Sequence, residues 1–138
     1  MLNTILIDAG PLIALFDKDD NYHEKVINFL KGKKYKYITT NAVITEVTYM
    51  LNFSIEAQIL FFEWIMKEGV LLQEIQQNDI ARIVELTKKY RDRPMDYADA
   101  TLVVAAEKTG IKKIISIDSD FDIYRLPKKV RIENIFKE

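Results

Sequence analysis

Short apolar runs alternate along this chain with stretches of helical periodicity. Leu2–Ile7 is a continuous run of β-favouring residues closed by Asp8-Ala9-Gly10-Pro11. A run of that length predicts a buried strand, and Pro11 suits the first turn of a helix behind it. Apolar residues at 22, 26, 27, 29 and 30 predict a helix from Tyr22 to Leu30, stopped by Gly32. Tyr35–Thr39 is a second strand candidate, followed by helices over Ala42–Leu51 and Ile55–Lys67 with Ser54 as the cap of the latter. Val70–Leu72, after Gly69, predicts a third short strand. Ile80, Ile83, Val84 and Leu86 predict a helix from a cap at Asn78 or Asp79 to about Tyr90, with Arg91-Asp92-Arg93-Pro94 as a loop. Asp96–Lys108 then reads as a helix ended by Gly110, Ile114–Ile117 as a strand ended by Asp118, and Val130–Ile135 as a last strand.

Strands separated by helices require crossover connections, so the expected fold is α/β: a central, mainly parallel sheet with helices on both faces. The 138 residues and 16.1 kDa suit one domain over 1–138, large enough to bury a core without staples. No cysteine is present, which excludes disulfides and thiolate metal sites, and the single histidine, His23, excludes multi-histidine zinc centres. Asp8 interrupts the first apolar run too early for a signal peptide. No run approaches the roughly 18 apolar residues of a membrane span. The expectation is a cytoplasmic protein with no membrane partner. Lys and Arg total 20 against 21 Asp and Glu, a formal net charge of −1 that by itself suggests no nucleic-acid partner.

The position of the acids changes that picture. Ligands of open parallel sheets bind beyond the carboxyl ends of the strands, where Asp8 and Asp118 fall. Each also has a plain structural reading, Asp8 as a helix cap and Asp118 as the opening of a turn. Glu46 lies beside the apolar stripe of its helix, with Ala42, Val43, Tyr49 and Met50 at helical spacing, so it is expected either turned inward or escaping at an edge. Asp99 stands with Asp96 in the first turn of a helix that continues through the uncharged run Ala100–Ala106. Acids there favour the helix dipole, which accounts for one of them better than for two on one face. Two unit charges about 4 Å apart repel by roughly 4 kcal/mol at an effective dielectric of 20, so converging carboxylates call for a divalent cation. Carboxylates without histidine or cysteine suit a hard ion such as Mg²⁺ or Mn²⁺, and such sites handle phosphates; the chemistry implied is phosphodiester hydrolysis.

With these residues in view, the chain resembles the PIN-domain ribonucleases, and most closely the VapC toxins of type II toxin–antitoxin systems. The matching pieces are Ile5–Leu12, Thr45-Glu46-Val47, Asp96–Leu102 and Ser116–Phe121, with acids in the family's order at 8, 46, 99 and 118. The resemblance implies a three-layer α/β/α fold, Mg²⁺- or Mn²⁺-dependent RNA cleavage, frequent homodimers and a small antitoxin partner. Carried over by position, Asp8 and Asp99 are the principal metal ligands. Glu46 assists the metal or positions water, and Asp118 completes the site. Asp96 is a further candidate ligand, ranked above Asp120, and Ser116 fits the family's small hydroxyl beside the fourth acid.

Basic residues cluster at Lys31–Lys36, Lys88–Arg93 and Lys128–Arg131, interleaved with Tyr35, Tyr37 and Tyr90. Such patches contact phosphate backbones or are simply solvated surface. Lys89, Arg91 and Arg93, leading directly into the Asp96 helix, are the candidate RNA contacts. The helix over Ile55–Met66 holds more apolar side chains than one face can hide, so it is either fully buried or a contact surface for a second copy or an antitoxin helix. A receiver-like domain would need an Asp ending the third strand, where Val70–Glu74 has none. A housekeeping RNA-processing nuclease of the same family, or a non-catalytic RNA- or partner-binding module, stays open.

Overall fold

The computed structural model describes residues 3–93 and 95–136. Leu2, predicted to open the first strand, and Pro94, in the predicted loop, lie outside them. In chain order the elements are β1 (Thr4–Ile7), α1 (Ala9–Phe16), α2 (His23–Gly32), β2 (Lys36–Thr39), α3 (Asn41–Met50) and α4 (Ile55–Met66). There follow β3 (Leu71–Leu72), α5 (Ile80–Lys89), α6 (Tyr97–Thr109), β4 (Lys113–Ile115), β5 (Arg125–Leu126), β6 (Val130–Arg131) and β7 (Glu133–Asn134). Five strands form a parallel sheet in the order β3-β2-β1-β4-β7, and β5 pairs antiparallel with β6 in a separate ribbon.

This order positions the site. From β1 the chain steps outward through β2 to β3, then returns across β1 to place β4 on its other side. With right-handed crossovers, the rule for such connections, this order assigns α1–α4 to one face and α5 and α6 to the other. The reversal opens a crevice at the carboxyl ends of β1 and β4, the position where ligands of such sheets bind. Ile5, Leu6, Ile7, Ile114 and Ile115 are fully buried in the two strands that frame it. The core extends through Leu12, Val43, Val47 and Phe61 on one side and α6 on the other. Every residue of α6 from Ala98 to Ala106 is buried, as the uncharged run predicts. Its end is set by Gly110, which takes a left-handed φ of 77° that a side chain would disfavour.

Several boundaries differ from expectation, each for a local reason. The predicted last strand, Val130–Ile135, divides into β6 and β7 because the chain changes partner at Ile132, whose side chain is buried. The predicted strand Ile114–Ile117 stops at Ile115. At Ser116 the side chain of Asn134 replaces a neighbouring strand: the Ser116 N–H donates to Asn134 Oδ1 at 3.2 Å, and Asn134 Nδ2 donates to the Ser116 carbonyl at 2.9 Å. Asp79 is the N-cap residue of α5, as expected, but its side chain makes no cap bond to that helix; instead its Oδ2 accepts from the Gln76 N–H at 2.8 Å in a capping box around the preceding 3₁₀ turn. Ser54 does cap α4, accepting from the Ala57 N–H at 3.1 Å.

The fully buried reading of α4 is overturned. Only Ala57 and Phe61 are buried in it, whereas Ile55, Ile59, Leu60, Phe62 and Met66 are exposed. Tyr49, Met50 and Phe53, just before it, are exposed too. A helix on the outer face of a three-layer fold has one neighbouring surface to cover it, and α4 has more apolar side chains than that surface can take. Among the described residues, no helix is long and apolar enough to cross a membrane.

Candidate active site

Asp8 is the residue at which β1 becomes α1. Its own N–H extends the ladder to the Ile115 carbonyl at 3.1 Å, so the main chain is still held by β4 when the helix begins. The carboxylate divides its two oxygens. Oδ1 accepts from the Ala9 N–H at 2.8 Å, and Oδ2 accepts from the Ser116 hydroxyl at 2.8 Å. The cap reading and the site reading of Asp8 are therefore compatible, one for each oxygen. The side chain is nearly enclosed, with 5% exposure.

Asp96 and Asp99 divide labour along the chain instead. Asp96 is the N-cap of α6, its Oδ1 accepting from the Asp99 N–H at 2.8 Å, and is itself exposed. Asp99 sits in the first turn with 8% exposure, and its Oδ2 accepts from the Tyr124 hydroxyl at 3.0 Å. The dipole reading accounts for Asp96 as a cap; it does not account for a carboxylate buried at Asp99.

Glu46 and Asp118 are exposed, and Asp120 is half-buried. Glu46 therefore occupies the edge position rather than turning inward. Asp118 opens a turn, its Oδ1 accepting from the Asp120 N–H at 2.9 Å, as its plain reading predicts. Their charges nevertheless meet at one place. Burial pushes the Asp8 carboxyl up to about 7, and the charges of Asp118 and Glu46 add to it against the opposing Ala9 and Ser116 hydrogen bonds. Burial pushes Asp99 up to about 8, with Asp8, Asp96 and Asp118 adding to it and the Tyr124 hydroxyl opposing. Glu46 is raised by burial and then by Asp96 and Asp118. Asp120 is raised by burial and by Asp118 and Asp96, with Arg93 pulling the other way. Acids from four separate chain regions thus act on one another. The relief that reaches Asp8 and Asp99 comes from neutral hydrogen-bond donors.

Of the candidate RNA contacts, Lys89, Arg91 and Arg93 are all exposed. Arg93 is the one whose charge reaches the acids, through Asp120. Lys89 lies over the Tyr90 ring at 5.3 Å. The Lys31–Lys36 cluster is at the amino end of β2, at the opposite end of the sheet from Asp8. Sequence patterns do not single out Tyr124 or Asn134, which hold Asp99 and Ser116. Nor do they reveal Thr40 and Thr101, whose hydroxyls share a 2.7 Å hydrogen bond that joins the start of α3 to α6. The i, i+3 spacing of Phe121 and Tyr124 is the nearest sequence signal to any of these.

The donor set is oxygen only, which fits a hard divalent cation. As the side chains stand, no three or more acids among the described residues are gathered at ligand spacing. A cation is the one class of partner that turns the mutual repulsion of these carboxylates into attraction.

The raised carboxyls have a consequence for stability without metal. A group whose folded value lies above its unfolded value of 3.8 holds its proton better when folded. Its contribution is fully present below about pH 4 and is lost as pH rises through the folded values of about 7 and 8. The slope is at most about 1.4 kcal/mol per pH unit for each group. Urea midpoints in excess chelator should fall from about pH 5 to about pH 8.5, and Asp8→Asn or Asp99→Asn should each flatten that fall. A wild-type midpoint that rises over this range would contradict it.

Comparison with known proteins identifies the family and the fold. The PIN domain family model matches residues 5–127. Ribonuclease VapC26 of Mycobacterium tuberculosis is 22% identical over 116 residues, covering 83% of this chain and 86% of the relative. The crystal structure of M. tuberculosis VapC20, a toxin that cleaves the sarcin–ricin loop, superposes with a TM-score of 0.77 at 21% identity, covering 86% of this chain and 92% of that one. At that identity the superposition shows the fold alone. The family match spans the whole crevice, from β1 with Asp8 to the segment that follows Asp118, and this chain belongs to the PIN domain family.

Proposed function

We propose that this chain is a divalent-metal-dependent endoribonuclease of the VapC toxin type, acting in the cytoplasm with Mg²⁺ or Mn²⁺. The observation that carries the reading is the pair of buried carboxylates, Asp8 and Asp99, which repel one another while their hydrogen-bond donors among the described residues are all neutral. Burying like charges costs several kcal/mol in effective terms unless a cation meets them. A structural role would not retain both. PIN-domain ribonucleases are in general divalent-metal dependent, and both VapC26, named a ribonuclease, and VapC20, titled a toxin that cleaves the sarcin–ricin loop, support the substrate class.

Asp8 and Asp99 would be the principal ligands, with Asp118 and Asp96 completing the set and Asp120 as a lesser candidate. When bound, the ion lowers the pKa of water and stabilises charge on the phosphate oxygens. The protein's own part is to hold these groups in place. Ser116 pins Asp8 through Oδ2, the α1 cap pins it through Oδ1, and the β1–β4 ladder fixes its main chain. Glu46, exposed at the rim, is suited to positioning the attacking water. The resemblance to PIN-domain ribonucleases implies 5′-phosphate and 3′-hydroxyl ends. Lys89, Arg91 and Arg93 would guide the RNA backbone toward the acids, Arg93 being the one whose charge already reaches them.

Partners follow from the surface. The exposed apolar side chains of α4 and the turn before it suit a second copy of the chain. Beside them, a groove of about 500 Å³, with Leu15, Phe16, His23, Leu60 and Trp64 in its walls and Lys18, Glu63 and Lys67 among its lining, suits the apolar side of an antitoxin helix. His23 is committed to the fold there, with Nδ1 2.7 Å from the Ala14 carbonyl.

Cleavage of a panel of structured RNAs should require Mg²⁺ or Mn²⁺ and should be lost in Asp8→Asn and Asp99→Asn. Activity in both variants, or in excess chelator, would remove the mechanism. Neutralising Lys89, Arg91 and Arg93 should weaken RNA binding about equally across sequences. The slope of its salt dependence should drop by about 0.7 for each single-strand phosphate that is no longer neutralised. An unchanged salt slope would exclude this segment from the interface. By light scattering the wild type should be a dimer and Phe62→Lys/Met66→Lys a monomer. A wild type that is strictly monomeric, with Trp64 shielded from a quencher, would leave the α4 face without its assigned role.

A further inference from the structure

Each of the two buried acids has one oxygen taken by a hydroxyl, and Asp8 has its other oxygen taken by the Ala9 N–H as well. Ser116 serves Asp8, and Tyr124 serves Asp99. We propose that Tyr124 is a positioning residue for metal binding, holding Oδ2 of Asp99 so that the other carboxylate oxygen is presented to the ion. The proposal rests on the reading of Asp99 as a metal ligand.

The geometry leaves Tyr124 little freedom. The residue is 2% exposed. Its ring packs edge-on against Phe121 at 5.2 Å and against Tyr90 at 5.1 Å. The main chain that bears it is tied on both sides. The Tyr124 N–H reaches the Asp120 carbonyl at 3.4 Å, and the next residue, Arg125, donates its N–H to the Tyr90 hydroxyl at 2.9 Å. The Arg125 guanidinium closes the turn by donating to the Asp122 and Tyr124 carbonyls at 2.6 and 3.0 Å. The phenol oxygen therefore arrives at Asp99 from a clamped ring, and its hydrogen bond fixes a carboxylate that α6 alone leaves free to rotate. Partners of this kind orient ligating carboxylates, and removing one typically costs about 10–100-fold in metal affinity.

Tyr90 connects this device to the rest of the site. It ends α5 directly before Arg91 and Arg93, and it touches both the ring of Tyr124 and the main chain behind it. The segment assigned to RNA and the residue that positions Asp99 are thus packed on one another.

Mn²⁺ binding, measured by calorimetry and by electron paramagnetic resonance of free Mn²⁺, tests the assignment without using activity. Tyr124→Phe keeps the ring and removes the hydroxyl. Its Mn²⁺ affinity should fall by about 10–100-fold with the thermal midpoint nearly unchanged. In cleavage assays the apparent Mn²⁺ requirement should rise while the rate at saturating Mn²⁺ stays close to wild type. The double variant Asp99→Asn/Tyr124→Phe should bind Mn²⁺ no more weakly than Asp99→Asn alone, because the hydroxyl acts through that carboxylate. Wild-type affinity in Tyr124→Phe, with affinity lost in Asp99→Asn, would overturn the role of Tyr124 and leave Asp99 as a ligand. Wild-type affinity in Asp99→Asn would overturn the ligand reading and this proposal with it.

Discussion

The site depends on enclosing two carboxyl groups, Asp8 and Asp99, in an apolar crevice where ionising both is costly. Asp8 and Asp99 are each almost fully enclosed, and the charge on Asp8 raises the cost of ionising Asp99. Water would screen such a pair at the surface, but here the surrounding strands and α6 are apolar, so the repulsion keeps its strength. The arrangement persists because the rest of the fold overdetermines the positions of the two residues. Asp8 lies where the central strand passes into a helix, with its main chain still bonded to β4. Asp99 lies on the helix whose following turns are entirely buried.

Around this pair the protein uses neutral donors rather than cations. A serine hydroxyl, a tyrosine hydroxyl and a backbone N–H at a helix start provide partial compensation and direction. Lysine or arginine in those places would satisfy the charges outright. Arg93 acts on Asp120, at the edge, rather than on the buried pair. The net charge of −1 thus averages an acidic crevice and more basic surroundings, and the two signals cancel in the sum.

The outer surface follows a different rule. α4 belongs to the crossover between β2 and β3, yet it covers the core with few of its side chains, chiefly Ala57 and Phe61. Trp64 and Ile65 pack half-buried against the core, while Ile55, Ile59, Leu60, Phe62 and Met66 face outward, continuous with Phe53 and Met50 before the helix. Composition alone reads such a helix as either core or interface. Its place on the outer layer removes the first reading, because only one of its faces has a neighbour.

The alternation of apolar runs and helical periods was sufficient to read the α/β class, the parallel crossovers and most element boundaries. These depend on local spacing and on where apolar surface must go. Asp8, Asp99 and Asp118 were legible because strand ends and helix starts are local features, and Glu46 because it stands beside the apolar stripe of its helix. Tertiary structure alone decided which of those acids are buried, and of the two positions open to Glu46 it selected the rim. It also decided that Asp8 uses one oxygen for a cap and the other for Ser116, a partner 108 residues away. Tyr124 and Asn134 could not be read from the chain because their roles depend on the direction of a single side chain after a turn, and no periodicity records that. Likewise Val130–Ile135 has the composition of one strand, but the change of partner at Ile132 depends on which edges are free once the sheet exists. Sequence determines where polarity and period change along the chain; only the folded chain determines which distant groups must share one small volume.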